Sequence, residues 1–230
     1  MARLVFIRHA HSTANDAGIL SGQLPGITLS KKGKKQAQLL VDRLGPSEFH
    51  SVRVSPMPRC EETISPWLLS SHSKGIKNYF IDNSLIEVDY GQWSGRKLSS
   101  LSKEKLWKAI QDRPSTVEFP GGEKIRSMQK RAISSVHDAL KQSKNGTHLF
   151  VSHGDVLKAI VASLLKIKLD DFQSLVIDPA SITIVDFDGD KSRLIAFNDS
   201  HSPVAPMLTM EKSVKVLLGG GVRKKKAIRR

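Results

Sequence analysis

The alternation of short apolar runs with helix-period segments constrains this chain more than any other feature. Residues 4–7 (Leu-Val-Phe-Ile), 52–54 and 148–151 are too short for helices and read as buried strands. Lys31–Leu44 brings apolar residues round at Ala37, Leu40, Val41 and Leu44, the spacing of one helix face. Further helices are expected over residues 59–69, broken or kinked near Pro66, and over 101–110, 125–140 and 156–165. A strand is expected over 76–81. Ile182–Phe187 and residues 193–197 read as two strands joined by Asp188-Gly189-Asp190, a hairpin turn. Strands separated by helices predict an α/β three-layer sandwich, a mostly parallel sheet flanked by helices with an antiparallel edge. The length of 230 residues suits one domain. We expect a folded body over residues 1–207 and a tail over 208–230.

Composition narrows the class. With 39% hydrophobic and 25% charged residues, the chain is ordinary globular material. A single cysteine, Cys60, excludes an internal disulfide framework and a four-cysteine zinc site. No stretch approaches about 18 uninterrupted apolar residues, so no membrane span is expected and a cytoplasmic location is the default. The net charge is +14, and six of the positive charges (Arg223, Lys224, Lys225, Lys226, Arg229 and Arg230) follow Gly219-Gly220-Gly221 near the end. Such a tail reads as flexible. It suits contact with nucleic acid or an acidic membrane, and it is equally consistent with a solvated extension that has no partner. The basic body favours anionic partners, although solubility alone also explains it.

In open α/β sheets, ligands bind beyond the carboxyl ends of the strands. The first strand ends in Arg8-His9. The run at 148–151 continues into Ser152-His153-Gly154-Asp155 and a helix. The run at 52–54 leads to Ser55 and then Arg59 at a helix start. Side by side, these strands would place two histidines and two arginines in one crevice. Guanidinium forks match phosphate oxygens. A neutral imidazole can attack phosphorus, and a second one can donate to the transferring group. Helix N-termini after Arg59 and Gly154 would add backbone N–H groups. Glu87 and Asp89 are candidates for the acid that protonates the leaving oxygen.

The order of these segments resembles the histidine phosphatase superfamily, which includes the cofactor-dependent phosphoglycerate mutases. The resemblance runs through Arg8-His9-Ala10-His11-Ser12 with Asn15, then Ser21-Gly22-Gln23 and Leu29-Ser30-Lys31-Lys32-Gly33. It continues through Val54-Ser55-Pro56-Met57-Pro58-Arg59-Cys60-Glu61-Glu62-Thr63 and the loop Leu85-Ile86-Glu87-Val88-Asp89-Tyr90-Gly91-Gln92-Trp93-Ser94-Gly95. Phe119-Pro120-Gly121-Gly122-Glu123 and Val151-Ser152-His153-Gly154 complete it. It implies a phosphoglycerate mutase-like fold over about residues 3–200, with His9 as phosphoryl acceptor, Arg8, Arg59 and His153 as clamp, and Glu87 as proton donor. It also implies that Asn15, Gly22 and Gln23 help to bind phosphate oxygens, and it implies no metal. Ala10 stands where the family commonly has glycine, and its methyl could narrow the phosphate cradle.

The segment Glu-x-Asp-x-Gly-x-Trp-x-Gly at 87–95 is similar to the phosphatase branch, so the expected activity is phosphomonoester hydrolysis of a small phosphorylated metabolite, with inorganic phosphate as product and inhibitor. The alternative is a mutase-like phosphotransferase, which would bring in 2,3-bisphosphoglycerate as cofactor. Two readings from other classes stand beside these. His9 and His11, with His153 and Asp155, could ligate a metal. The basic tail could serve a low-turnover binding protein. Residues 94–120 are expected to cover the pocket. They carry Arg96, Lys97, Lys103, Lys105, Lys108 and Arg113, which suit either an acidic substrate or a solvated helix face.

Overall fold

A computed structural model describes residues 1–189 and 191–209. In chain order the strands are β1 (Ala2–Arg8), β2 (Ser51–Val54), β3 (Tyr79–Ile81), β4 (Thr147–Ser152), β5 (Ile182–Phe187) and β6 (Ser192–Asp199). The helices are α1 (Thr13–Ala17), α2 (Lys31–Leu44), α3 (Pro58–Leu69), α4 (Leu98–Leu101), α5 (Lys105–Asp112), α6 (Ile125–Gln142), α7 (Gly154–Leu164) and α8 (Ala205–Thr209). The strands form one sheet in the order β3-β2-β4-β1-β5-β6. The first four run parallel to one another, while β5 is antiparallel to β1 and β6 antiparallel to β5. The expected mixed α/β sandwich is therefore the observed fold.

Strand period explains why the sheet is buried on both sides. Leu4 and Phe6 of β1 pack with Phe150 and Val185 against α6 and α7. Val5 and Ile7 point the other way and pack with Val52, Val54 and Leu149 against α2 and α3. Arg3 forms a buried two-point ion pair with Asp186, its register partner on β5, at 2.7 and 2.8 Å. Arg43 at the end of α2 donates to the carbonyls of Ala180, Asp199 and Ser202, tying the last strand to the helix layer.

Several boundaries differ from expectation. The helix expected over 101–110 is two helices with a break at Ser102. There the serine hydroxyl bonds the carbonyl of Ser99, a competition with the backbone that serine-rich turns invite. Helix α3 passes through Pro66 without interruption. The strand expected from residue 76 begins only at Tyr79, because residues 71–75 form a 3-10 turn with Ile76 as its cap. The hairpin pairs as expected, with Asp188 N–H donating to the carbonyl of Lys191, while Asp190 lies outside the described residues. Leu208, assigned to the tail, belongs to α8 and packs on the α2 side of the sheet. The glycine run and basic cluster lie outside the described residues.

Gly33, in the first turn of α2, holds the loop after β1 in place. A Cβ there would sit 1.9 Å from the carbonyl oxygen of His11. Gly33→Ala is expected to destabilise the fold by about 1–3 kcal/mol, the usual cost of overpacking, seen as a lower urea midpoint.

Candidate active site

The strands β2, β4 and β1 are neighbours, and Arg8 is level with Ser152 in the register. Their carboxyl ends therefore deliver side chains to one place. The rings of His9 and His153 meet edge-on with centroids 5.2 Å apart. Arg59, the second residue of α3, is fully buried. Its Nη2 donates to the Gly22 carbonyl at 2.9 Å and lies 3.1 Å from His153 Nδ1. Arg8 donates through Nη1 to the Ile177 carbonyl at 2.6 Å. The Nε atoms of both arginines and Nη1 of Arg59 are buried without a hydrogen-bond partner in the protein. Buried guanidinium donors of this kind are costly unless an anion meets them, so the pair fits a phosphoryl group.

The hydrogen bonds assign the histidine protons. His9 Nδ1 lies 2.8 Å from the Ala10 carbonyl, which only accepts, so Nδ1 carries the hydrogen and Nε2 keeps its lone pair. Burial, followed by the charges of Arg59 and Arg8, pushes the His9 pKa well below its usual value. The same causes, with His9 added, lower that of His153. Both imidazoles are therefore neutral at pH 7. His153 Nε2 is held at 2.7 Å by the Ser55 hydroxyl, which leaves Nδ1 facing Arg59 and Glu87. Cys60 packs against the same ring, and burial pushes its thiol up to about 12.

Glu87 is 8% exposed, and its Oε2 lies 3.7 Å from His153 Nδ1. Burial first, then the charge of Asp155, raises its pKa to about 7, against the pull of Arg59. Asp89 is turned away, its carboxylate accepting from Gly91 N–H to close the loop. Gln23 reaches the site through its side chain, donating to the Glu87 carbonyl at 2.8 Å, and Gly22 through its carbonyl on Arg59. Asn15 is exposed and caps α1, its Oδ1 accepting from the Ser12 N–H and hydroxyl. His11 faces Ser30 and Asp16. Among the described residues, no three His, Cys, Asp or Glu side chains are grouped as a metal ion would need. No described helix is long and apolar enough to cross a membrane.

The model of the histidine phosphatase superfamily (branch 1) matches residues 4–200. The chain belongs to the histidine phosphatase superfamily. It is 29% identical over 200 residues to phosphoserine phosphatase 1 of Hydrogenobacter thermophilus, covering 86% of this chain and 92% of that one. It is 27% identical over 183 residues to the 2,3-bisphosphoglycerate-dependent phosphoglycerate mutase of Thermoplasma acidophilum, covering 79% and 86%. The solved structure of Bacillus stearothermophilus YhfR superposes with a TM-score of 0.77 at 24% identity, covering 86% of this chain and 98% of that one, and shares the fold. Membership together with phosphatase relatives supports phosphomonoester hydrolysis as the activity class.

The loop that carries Glu87 has a brace that sequence reasoning missed. Arg131 on α6 donates to the carbonyls of Ser84, Ile86 and Glu87 and pairs with Glu123 at 2.6 Å. Glu123 in turn accepts from Asp89 N–H. The six basic residues at 96–113 are all exposed, with Arg96 paired to Glu104, so the solvated-face reading holds for them. Ala10 takes no positive φ; it packs in the core on the α2 side and donates its N–H to Thr63. Its methyl points into the core, and the expected narrowing of the cradle does not arise from backbone strain.

Glu87 titrates near 7 in the fold against about 4.3 unfolded. A raised carboxyl contributes fully below the unfolded value, and that contribution is lost as pH rises through 7. Glu87→Gln keeps a neutral group at every pH. It is expected to exceed the wild type in stability by on the order of 3 kcal/mol at pH 8, falling to about 1 kcal/mol at pH 5. Urea denaturation at the two pH values measures it.

Proposed function

We propose that this protein is a phosphomonoester hydrolase that works through a covalent phosphohistidine on His9. The observation that carries the reading is His9 itself, a buried neutral imidazole whose Nδ1 is fixed by the Ala10 carbonyl, beside unpartnered guanidinium donors. Its Nε2 lone pair attacks phosphorus while the bond to the leaving oxygen breaks. Arg8, Arg59 and His153 Nδ1 surround the transferring group, and the charges of the two arginines are matched to its oxygens. The N-terminus of α7, which starts at Gly154 beside Arg8, adds to this positive field. Gly22 and Gln23 border the clamp through Arg59 and Glu87, while Asn15 stays in the cap of α1.

Glu87 supplies the proton. With a pKa near 7 it is protonated often enough to donate to the leaving alkoxide and basic enough afterwards to take a proton from water. The water oxygen then attacks the phosphohistidine, the P–N bond breaks, and phosphate leaves. No metal is needed in this scheme, since the guanidiniums carry the cationic charge. Hydrolysis is favoured over the mutase reading, which would bring in 2,3-bisphosphoglycerate, because the segment at 87–95 is similar to the phosphatase branch and a phosphoserine phosphatase is among the relatives.

His9→Ala is expected to abolish turnover and transfer of substrate phosphate onto the protein; retained labelling would remove His9 from this role. Glu87→Gln should slow alkyl phosphates at least 10²-fold, and aryl phosphates with good leaving groups far less. For alkyl phosphates, kcat/KM should fall above about pH 7 as Glu87 loses its proton, and this limb should vanish in the glutamine variant. Inorganic phosphate should inhibit competitively, because it fits the same clamp.

A further inference from the structure

Beside the phosphate clamp lies a second feature that hydrolysis alone does not account for. A cavity of about 190 Å³ opens between the segment at 94–120 and the body, walled by Leu20, Tyr90, Trp93, Trp107 and Phe119. The rings are held against one another. Tyr90 and Trp93 both meet Phe119 edge-on, at 4.9 and 5.7 Å, and Trp93 stacks on Trp107 at 6.4 Å. Asp155 is the one formally charged residue on its wall. Burial works against ionisation of Asp155, but Lys158 at 2.8 Å and the Tyr90 hydroxyl at 2.9 Å outweigh it and hold its pKa below the usual carboxylate value. Lys158 is engaged by Asp155 and Gln173 and lies over the Phe172 ring, so it is occupied as a partner for an incoming acid.

The cavity and the clamp are neighbours through two of the cavity's lining residues, Asp155 and Tyr90. Asp155 follows Gly154, whose backbone lies so close to Arg8 that a Cβ would be 3.3 Å from its guanidinium carbon. The ring of Tyr90 borders Gly22, and the Gly22 carbonyl holds Arg59. A phosphoryl group in the clamp would therefore have its ester oxygen near Glu87 and the rest of the molecule beside this cavity.

We propose that the cavity receives the alcohol part of the substrate, and that the preferred ester carries one apolar ring and no acid group. This rests on the phosphohistidine reading and specifies its substrate class. The volume suits a single ring, since an apolar cavity of about 150 Å³ holds benzene. Aromatic walls favour a ring by burial and by edge-on contact. Asp155 and Lys158 are already paired with each other, so a second carboxylate would enter the aromatic cavity with no free counter-charge, and phosphoglycerate-like and phosphoserine-like esters are selected against.

The test compares kcat/KM for benzyl phosphate, glycerol 1-phosphate and 3-phosphoglycerate. All three release alkyl alcohols, so leaving-group chemistry is closely matched. Benzyl phosphate is expected to exceed 3-phosphoglycerate at least tenfold, with glycerol 1-phosphate between them. Leu98→Trp, which fills the cavity from its exposed side, should lower the ratio of benzyl to glycerol phosphate about tenfold. Asp155→Asn should raise the ratio of 3-phosphoglycerate to benzyl phosphate by a similar factor. Competitive inhibition by inorganic phosphate shows that each variant keeps a folded clamp. Equal or better turnover of 3-phosphoglycerate, or ratios that neither variant moves, overturns the inference and leaves the phosphohistidine reading standing. If the wild type hydrolyses none of the three, that reading falls and takes the inference with it.

Discussion

Positive charge gathered where water is scarce is the constraint around which the rest of this structure is arranged. Arg59 is fully buried, and Arg8 stands beside it with a buried Nε. Each is anchored by one backbone carbonyl, Gly22 for Arg59 and Ile177 for Arg8, and otherwise left with donors for a visitor. Nearby groups respond to that field. Both histidines are driven neutral, which a phosphorus nucleophile requires. Glu87 is pulled in two directions, upward by burial and Asp155 and downward by Arg59, and settles near neutrality. A carboxyl poised near 7, suited to the proposed acid–base role, thus results from opposing burial and charge, which is a common origin for such values.

That arrangement is held at some expense to stability. A carboxyl raised to about 7 is a state that folding imposes at neutral pH, and the two depressed imidazoles add their cost only as the pH falls below their usual value. The fold offsets these costs through packing on both faces of the sheet and through charged side chains placed on backbone carbonyls. Arg131 grips three carbonyls leading into and at Glu87, Arg43 gathers the last strand, and Arg3 locks β1 to β5. Arginine suits this task because its planar fork reaches several acceptors at once.

Much of the site was legible in the sequence because strand ends are legible. A short apolar run that stops at Arg8-His9, and another that stops at Ser152-His153, present those residues at the carboxyl ends of their strands, and the parallel register brought them level. Glu87 and Asp89 were both candidates from the sequence, and choosing Glu87 needed the family resemblance, since their loop has no periodicity to read. Arg131 stayed hidden for a physical reason: on α6 it follows Lys130 and stands among ordinary polar helix residues, so its burial contacts have no local signal. The basic residues at 96–113 left two readings open in the sequence, an acidic substrate or a solvated face; all six are exposed, while Trp107 and Ile110 line the cavity. The break at Ser102 was equally unreadable, because it depends on one hydroxyl choosing a carbonyl three residues back.

The lone thiol gives a last consequence. Cys60 is sealed against the second histidine with a pKa near 12, so at physiological pH almost none of it is thiolate. Peroxides and alkylating agents act on the thiolate and need access to it. Under the proposed phosphohistidine scheme, which runs on imidazole and carboxyl with the sulfur locked inside in protonated form, turnover should persist under oxidative stress that silences phosphatases built on a reactive cysteine.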